Sequence, residues 1–214
     1  MFTDSHTHLY LKDFNDDLDI VIDNAKQQKV NRFLLPNIDI NTLPNVISLH
    51  KKNPKLFYPM IGLHPCSVSD HFYDELEKIY EYITQYPFIG VGEIGIDLYW
   101  DQTYIAEQKE AFKIQIGWSK THDLPIIIHS RNSFNEIYDI LRTEKSENTK
   151  GIFHCFSGNY EDAIKIIEMG FYLGIGGVIT FKNSKLFEVI KKIDLKHIVL
   201  ETDSPYLAPH PMRG

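Results

Sequence analysis

Asp4, His6 and His8 open the chain, with the two histidines two residues apart. In an extended segment, residues two apart point to the same side. Two imidazoles side by side make half of a clamp for a first-row divalent metal, and a carboxylate with further imidazoles would complete it. The sequence supplies such groups at His64, Glu93, His129, His154 and Asp203, with His210 close to the end. A lone His-x-His is a weak signal, and a single histidine at a strand end is usually a satisfied polar residue of the core. The whole set points to metal binding, provided the fold brings it to one place.

The fold can be read from an alternation. Short apolar runs at 2–9, 32–38, 58–64, 88–96, 125–129, 151–156, 171–175 and 197–201 read as strands. Between them lie stretches of helical period, such as Leu18, Val21, Ile22 and Ala25, or Leu76, Ile79, Tyr80 and Ile83. Phe134, Ile137, Tyr138 and Leu141 repeat that face, as do Leu186, Val189, Ile190 and Ile193. The longest helical stretch is 104–122, and 161–169 ends at Gly170, a natural helix stop. Eight strand–helix units predict a (β/α)8 TIM barrel, organised as a single domain over 1–214. In such a barrel the C-terminal strand ends form one mouth, and every residue of the set falls in or just after a strand. His64, Glu93 and His129 are expected to end strands 3, 4 and 5, with His154 near the end of strand 6 and Asp203 just past strand 8.

Gly90, Gly92 and Gly95 surround Glu93 without forming the Gly-x-Gly-x-x-Gly of a dinucleotide site, so they read as room for close packing. Barrels of this type run to about 250 residues. With 214 residues the chain is expected to lack the last helix, and either a further loop and helix or a partner chain would cover that gap.

The formal net charge of −7 argues against a protein that coats nucleic acid through its whole surface. Phosphate would have to be met by a local positive feature. No apolar run reaches the length of a membrane span, and Met1 is followed by acids and histidines rather than a leader. Two cysteines, Cys66 and Cys155, stand far apart, which fits a reducing cytoplasm. Cys155, next to His154 in a strand, is expected to face the helices. His50, His71, His122 and His197 read as solvated, whereas Tyr99, Trp100, Phe156 and Tyr206 follow strands and are candidates to line the mouth.

These motifs resemble the TatD-like metal-dependent deoxyribonucleases of the amidohydrolase superfamily. The resemblance is carried by Asp4-Ser5-His6-Thr7-His8-Leu9, Gly62-Leu63-His64-Pro65, Gly90-Val91-Gly92-Glu93-Ile94-Gly95-Ile96-Asp97, Pro125-Ile126-Ile127-Ile128-His129-Ser130-Arg131, His154-Cys155-Phe156-Ser157-Gly158 and Leu200-Glu201-Thr202-Asp203-Ser204-Pro205-Tyr206-Leu207. Gln108, Phe112 and Gln115 also keep the family's spacing. The chain departs from the pattern at Tyr10, where the family usually has an acid, at Cys66, where a histidine is frequent, and at Asn132-Ser133.

The resemblance implies two divalent ions, of Mg²⁺, Mn²⁺ or Zn²⁺. One would be held by His6, His8, Glu93 and Asp203, and the other by Glu93, His129 and His154, with Glu93 bridging. It implies Asp203 as the base, His64 and Arg131 as phosphate contacts, and Glu201 as a residue that orients a ligand imidazole. The expected substrate is a single-stranded DNA end cut 3′→5′ by a monomeric enzyme. A hydrolase of a small ester, amide or lactone is the competing reading, because one fold serves many chemistries. A non-catalytic metal-binding protein is a third.

Overall fold

The computed structural model describes residues 1–213. Each apolar run yields a strand: β1 (Phe2–Asp4), β2 (Val30–Leu35), β3 (Phe57–Pro59), β4 (Val91–Asp97), β5 (Ile126–Arg131), β6 (Gly151–Phe153), β7 (Tyr172–Ile175) and β8 (Ile198–Leu200). The helices are α1 (Leu18–Gln27), α2 (Leu43–Lys52), α3 (Phe72–Tyr80), α4 (Ile105–His122), α5 (Phe134–Glu144), α6 (Tyr160–Glu168) and α7 (Leu186–Ile190). Helix α2 was not expected from the sequence. Pro44 stands in its first turn, where a missing N–H costs nothing, and Leu43, Val46, Ile47 and Leu49 form its buried face.

All pairings are parallel, in the orders β1-β2-β3 and β4-β5-β6-β7-β8. The two groups meet at both edges. At one, Ile61 bridges Val91, and the Gly92 N–H donates to the Ile61 carbonyl at 2.8 Å. At the other, the Ser5 N–H donates to the Leu200 carbonyl at 3.0 Å, and the Asp203 N–H donates to the His6 carbonyl at 2.9 Å. The architecture is TIM-barrel-like. Helices α2 to α7 pack over a core that includes Ile61, Ile94, Phe112, Ile128, Phe153 and Leu173, while Leu35, Val46 and Phe57 belong to a second cluster under α1 and α2.

Three strand ends differ from expectation. β3 stops at Pro59, so His64 stands on the loop beyond it. β4 and β5 run on through Asp97 and Arg131, paired to each other at that end, so Glu93 and His129 lie inside their strands. The register of β4 slips between Val91 and Ile94, and Glu93 sits in that slip. Gly92 is required there, because a Cβ would come within 2.6 Å of the Ile127 Cβ. At Gly95, with φ of +142°, a Cβ would collide with the His129 carbonyl. These glycines make room for close packing, as the sequence suggested.

No helix follows β8 among the described residues. Phe2 and Leu200 stay about half exposed on the outer face of the β1–β8 seam, beside an apolar groove of about 310 Å³ bounded by Val21, Ala25 and Phe33. No helix is long and apolar enough to cross a membrane.

The β1–β8 seam is clasped by a buried carboxylate. Asp4 Oδ1 accepts from the Thr202 N–H at 3.0 Å, and Oδ2 accepts from the Thr202 hydroxyl at 2.7 Å. Burial raises the Asp4 pKa from 3.8 to about 6, against the lowering effect of the Thr202 hydrogen bonds. The folded chain therefore holds a proton that the unfolded chain releases. Asp4's contribution to stability is complete below about pH 4 and is lost as pH rises through 6. We predict that Asp4→Asn removes this decline while keeping the clasp, and that Asp4→Ala costs about 2 kcal/mol. Urea titrations of the three proteins from pH 4 to 7 measure both effects, and identical pH slopes for Asn and Asp would exclude Asp4 as the titrating group.

Candidate metal centre

The mouth gathers His6, His8, His64, Glu93, His129, His154 and Asp203. Glu93 is 2% exposed and lies at the centre, its two oxygens facing opposite ways. Oε2 is 3.2 Å from His6 Nε2 and 3.8 Å from His8 Nε2. Oε1 is 2.8 Å from His129 Nδ1, 3.6 Å from His64 Nε2 and 3.7 Å from His154 Nε2. Asp203 Oδ1 lies 3.4 Å from His8 Nε2 and 3.7 Å from both His6 Nε2 and His154 Nε2. Compact donor triads form at His6–His8–Asp203, His6–Glu93–His154 and His64–Glu93–His129. His210, the last histidine, is exposed and joins none of them.

Backbone geometry aims these groups. Glu93 is locked by Asn37, fully buried, whose carbonyl accepts the Glu93 N–H and whose N–H donates to the Gly92 carbonyl, both at 3.0 Å. The Asn37 side chain donates in turn to the Gly62 carbonyl at 2.8 Å. Two glutamines of α4 act as struts: Gln108 Oε1 accepts the Asp97 N–H, and Gln115 Oε1 accepts the Leu63 N–H beside His64. Asp203 and Cys155 hold left-handed backbone, with φ of +60° and +46°, conformations that non-glycine residues adopt at a cost. That twist at 155 breaks the strand alternation. The Cys155 thiol therefore does not face the helices but sits beside His154 and Glu201, and the Cys155 N–H donates to Glu201 Oε1.

Hydrogen bonds fix which imidazole nitrogen carries a lone pair. The Tyr10 hydroxyl donates to the Pro36 carbonyl at 2.6 Å, so at 2.8 Å it accepts from His8 Nδ1–H. His8 Nε2 is left bare, facing Glu93 and Asp203. The Cys66 N–H donates to His64 Nδ1 at 3.0 Å, which puts the proton of a neutral His64 on Nε2. His64 is then a hydrogen-bond donor into the mouth rather than a ligand. His129 Nε2 donates to Asp97 Oδ2 at 2.8 Å, which turns Nδ1 toward Glu93. His154 Nδ1 lies 3.0 Å from Glu201 Oε1, close in charge but not aligned as a hydrogen bond. Sequence reading singled out Glu201, and the structure brings it beside His154. It missed Asp97, Asn37 and Tyr10, and the only signal for Tyr10 was that it breaks the family pattern.

The electrostatics are those of a cation site. Burial opposes ionisation of Glu93, yet the imidazoles around it outweigh that and hold the carboxyl well below its usual range, His154 by its charge and His129 by its hydrogen bond. Burial also opposes the charge on Asp203, but His8, His154 and His6 keep its pKa low. Burial, with His154 adding to it, lowers the His6 pKa, and burial brings His64 to about 3, so both are neutral. Burial would lower His129 and His154 too, but Asp97 and Glu93 raise the former, and Glu201 and Glu93 raise the latter to about 10. His6 Nε2 and His8 Nε2 stand 3.2 Å apart, close enough for one to donate to the other, with carboxylate oxygens around them. The buried His6 Nδ1 has no partner. Imidazole nitrogens and carboxylate oxygens that converge in this way are the donor set of a divalent metal, and the residues present fit one. Burial raises the Cys155 thiol far above its usual range, so it stays a neutral thiol and a poor ligand.

Arg131, at the end of β5, is exposed, and its guanidinium lies over the Tyr99 ring. Tyr206 approaches His8 with ring centres 6.0 Å apart, while Phe156 is buried. His71 is exposed, but His50 is half-buried and bonded to the Phe57 carbonyl, and His122 meets the Tyr80 hydroxyl.

Comparison with known proteins places this geometry in context. The family model for TatD-related DNases matches residues 3–214. An uncharacterized metal-dependent hydrolase of Bacillus subtilis, YabD, is 38% identical over all of this chain and 84% of its own length. The crystal structure of YjjV, a TatD homologue from Escherichia coli, superposes with a TM-score of 0.93 at 30% identity, covering all of this chain and 83% of that one. A TatD-family hydrolase from Entamoeba histolytica shares the fold, with a TM-score of 0.79 at 21% identity over 96% of this chain and 74% of that one.

The tautomers are directly measurable. Imidazole ¹⁵N shifts of the metal-free protein at neutral pH should show His64 as the Nε2–H form and His8 with a protonated Nδ1. Tyr10→Phe should leave the buried His8 Nδ1–H and the Pro36 carbonyl without their partner and cost about 1–3 kcal/mol in chemical denaturation. An unchanged His8 signal and unchanged stability in Tyr10→Phe would remove Tyr10 from the site.

Proposed function

The chain belongs to the TatD-related DNase family of metal-dependent hydrolases, and from that premise we propose that it cleaves phosphodiester bonds of DNA from a single-stranded end, 3′→5′, with two divalent ions. The observation that carries this reading is the division of Glu93 between two imidazole sets, Oε2 toward His6 and His8 and Oε1 toward His129 and His154. In this reading His6, His8, Glu93 and Asp203 hold one ion, and Glu93, His129 and His154 hold the other. When bound, the pair of ions polarises the phosphoryl group and acidifies the attacking water.

The chain's own groups do the rest. Asp203 is ionised at neutral pH and takes the water proton on its carboxylate. His64 offers its Nε2–H to a phosphate oxygen, and Arg131 offers a planar fork to another. Asp97 holds His129 and Tyr10 holds His8 by hydrogen bonds, so these two imidazoles keep their bearing without substrate, and the Glu201 carboxylate lies against His154. A local positive pocket on an acidic chain suits a substrate that inserts one end. The two free thiols suit a reducing cytoplasm.

Two outcomes test this account. Glu93→Ala should lose both ions together in elemental analysis after gel filtration, because one carboxylate serves both; retention of two tightly held ions would refute the bridge. Asp203→Asn, at saturating metal, should lower turnover of single-stranded oligonucleotides by about 100-fold or more while the melting temperature changes little. The same panel should include small esters, amides and lactones with Mg²⁺, Mn²⁺ and Zn²⁺. Turnover of those, with intact oligonucleotides, would replace the nuclease reading by the general hydrolase one.

A further inference from the structure

Beside the imidazole cluster, two large aromatic side chains stand in solvent. Tyr99 is 52% exposed and Trp100 66%, on the loop that leaves β4. Their rings meet edge to face, with centroids 4.9 Å apart at 85°. The Arg131 guanidinium lies 3.9 Å from the Tyr99 ring centre and 5.2 Å from that of Trp100. Among the described residues no acid lies within 4 Å of the Arg131 guanidinium, and its N–H groups have no hydrogen-bond partner there. The guanidinium is therefore braced on one face and chemically free at its edge.

The loop is not placed at random. The N–H groups of Tyr99 and Trp100 both donate to Asp97 Oδ1, at 2.8 and 3.0 Å. The other oxygen of that carboxylate accepts from His129, which contacts Glu93. The Leu98 N–H donates to the Arg131 carbonyl at 2.9 Å, tying the loop to β5. One buried carboxylate thus fixes both the imidazole beside the reacting position and the aromatic pair. Exposed aromatic rings flanked by an unpaired cation match the two parts of a nucleotide, a flat base and a phosphate. Stacking on aromatic faces tolerates any base, and an arginine adds to it.

We propose that Tyr99 and Trp100, with Arg131 braced against them, form a stacking platform for the unpaired base of the nucleotide whose phosphate lies at the imidazole cluster. The platform selects single-stranded nucleic acid, because a base within a duplex presents no free face. This subsite rests on the nuclease reading above, and the two can fail separately.

The test compares two chains of equal charge binding to the metal-loaded protein: a phosphorothioate oligothymidylate and an abasic phosphorothioate chain of the same length. The wild type should bind the oligothymidylate about tenfold more tightly. Trp100→Ala and Tyr99→Ala should erase that preference by weakening the oligothymidylate alone, and Trp100→Phe should keep most of it. Both positions are exposed, so melting temperatures should not change in any of the three variants. Equal binding of the two chains by a wild type that cleaves DNA, or an equal loss of both in the alanine variants, would overturn the platform alone. A metal-loaded wild type that neither binds nor cuts either kind of chain would overturn the nuclease reading and the platform with it.

Discussion

A buried carboxylate surrounded by imidazoles sets the terms for this molecule. Glu93 is cut off from water, and its charge can be kept there only by positive or hydrogen-bonding partners on every side. His6, His8, His64, His129 and His154 provide that shell, drawn from β5 and from the loops that follow β1, β3 and β6. Within the shell, His6 Nε2 and His8 Nε2 lie 3.2 Å apart, close enough to share a hydrogen bond. The same nitrogens and carboxylate oxygens are the donor set that a divalent ion takes, so the arrangement that keeps the Glu93 charge in the bare chain fits a metal in the loaded one.

Much of the rest of the structure serves to hold this shell in place. The register slip at Glu93 needs the bare backbone of Gly92 beside Ile127 and the buried amide of Asn37. The left-handed turn at Asp203 returns the chain from β8 to the His6 carbonyl. Asp4 clasps the same seam through Thr202. Longer contacts from α4, through Gln108 and Gln115, fix the ends of β4 and of the β3 loop. The strands supply approximate positions, and these polar struts supply the aim.

The eight strands and most of the helices were legible because alternating apolar runs and helical faces leave a periodic trace. Helix α2, which has a proline in its first turn, was not among the helical stretches read from the sequence. The metal-directed residues were legible from type and from position after strands, and all of them converge on one mouth. Their exact places were less so: Glu93 lies within β4 because that strand pairs on with β5 to Asp97, which no local pattern announces. The direction of the Cys155 thiol depended on a backbone dihedral that alternation cannot foresee. The roles of Asp97, Asn37 and Tyr10 were not legible, because their work is done through hydrogen bonds between distant segments.

The most direct test is a crystal of the protein grown with Mn²⁺ and measured at the manganese absorption edge. The account predicts two anomalous peaks about 3.5–4 Å apart, one on each side of the Glu93 carboxylate, with His6, His8 and Asp203 around one and His129 and His154 around the other. A single peak, or a peak ligated by His64 Nε2, would contradict it.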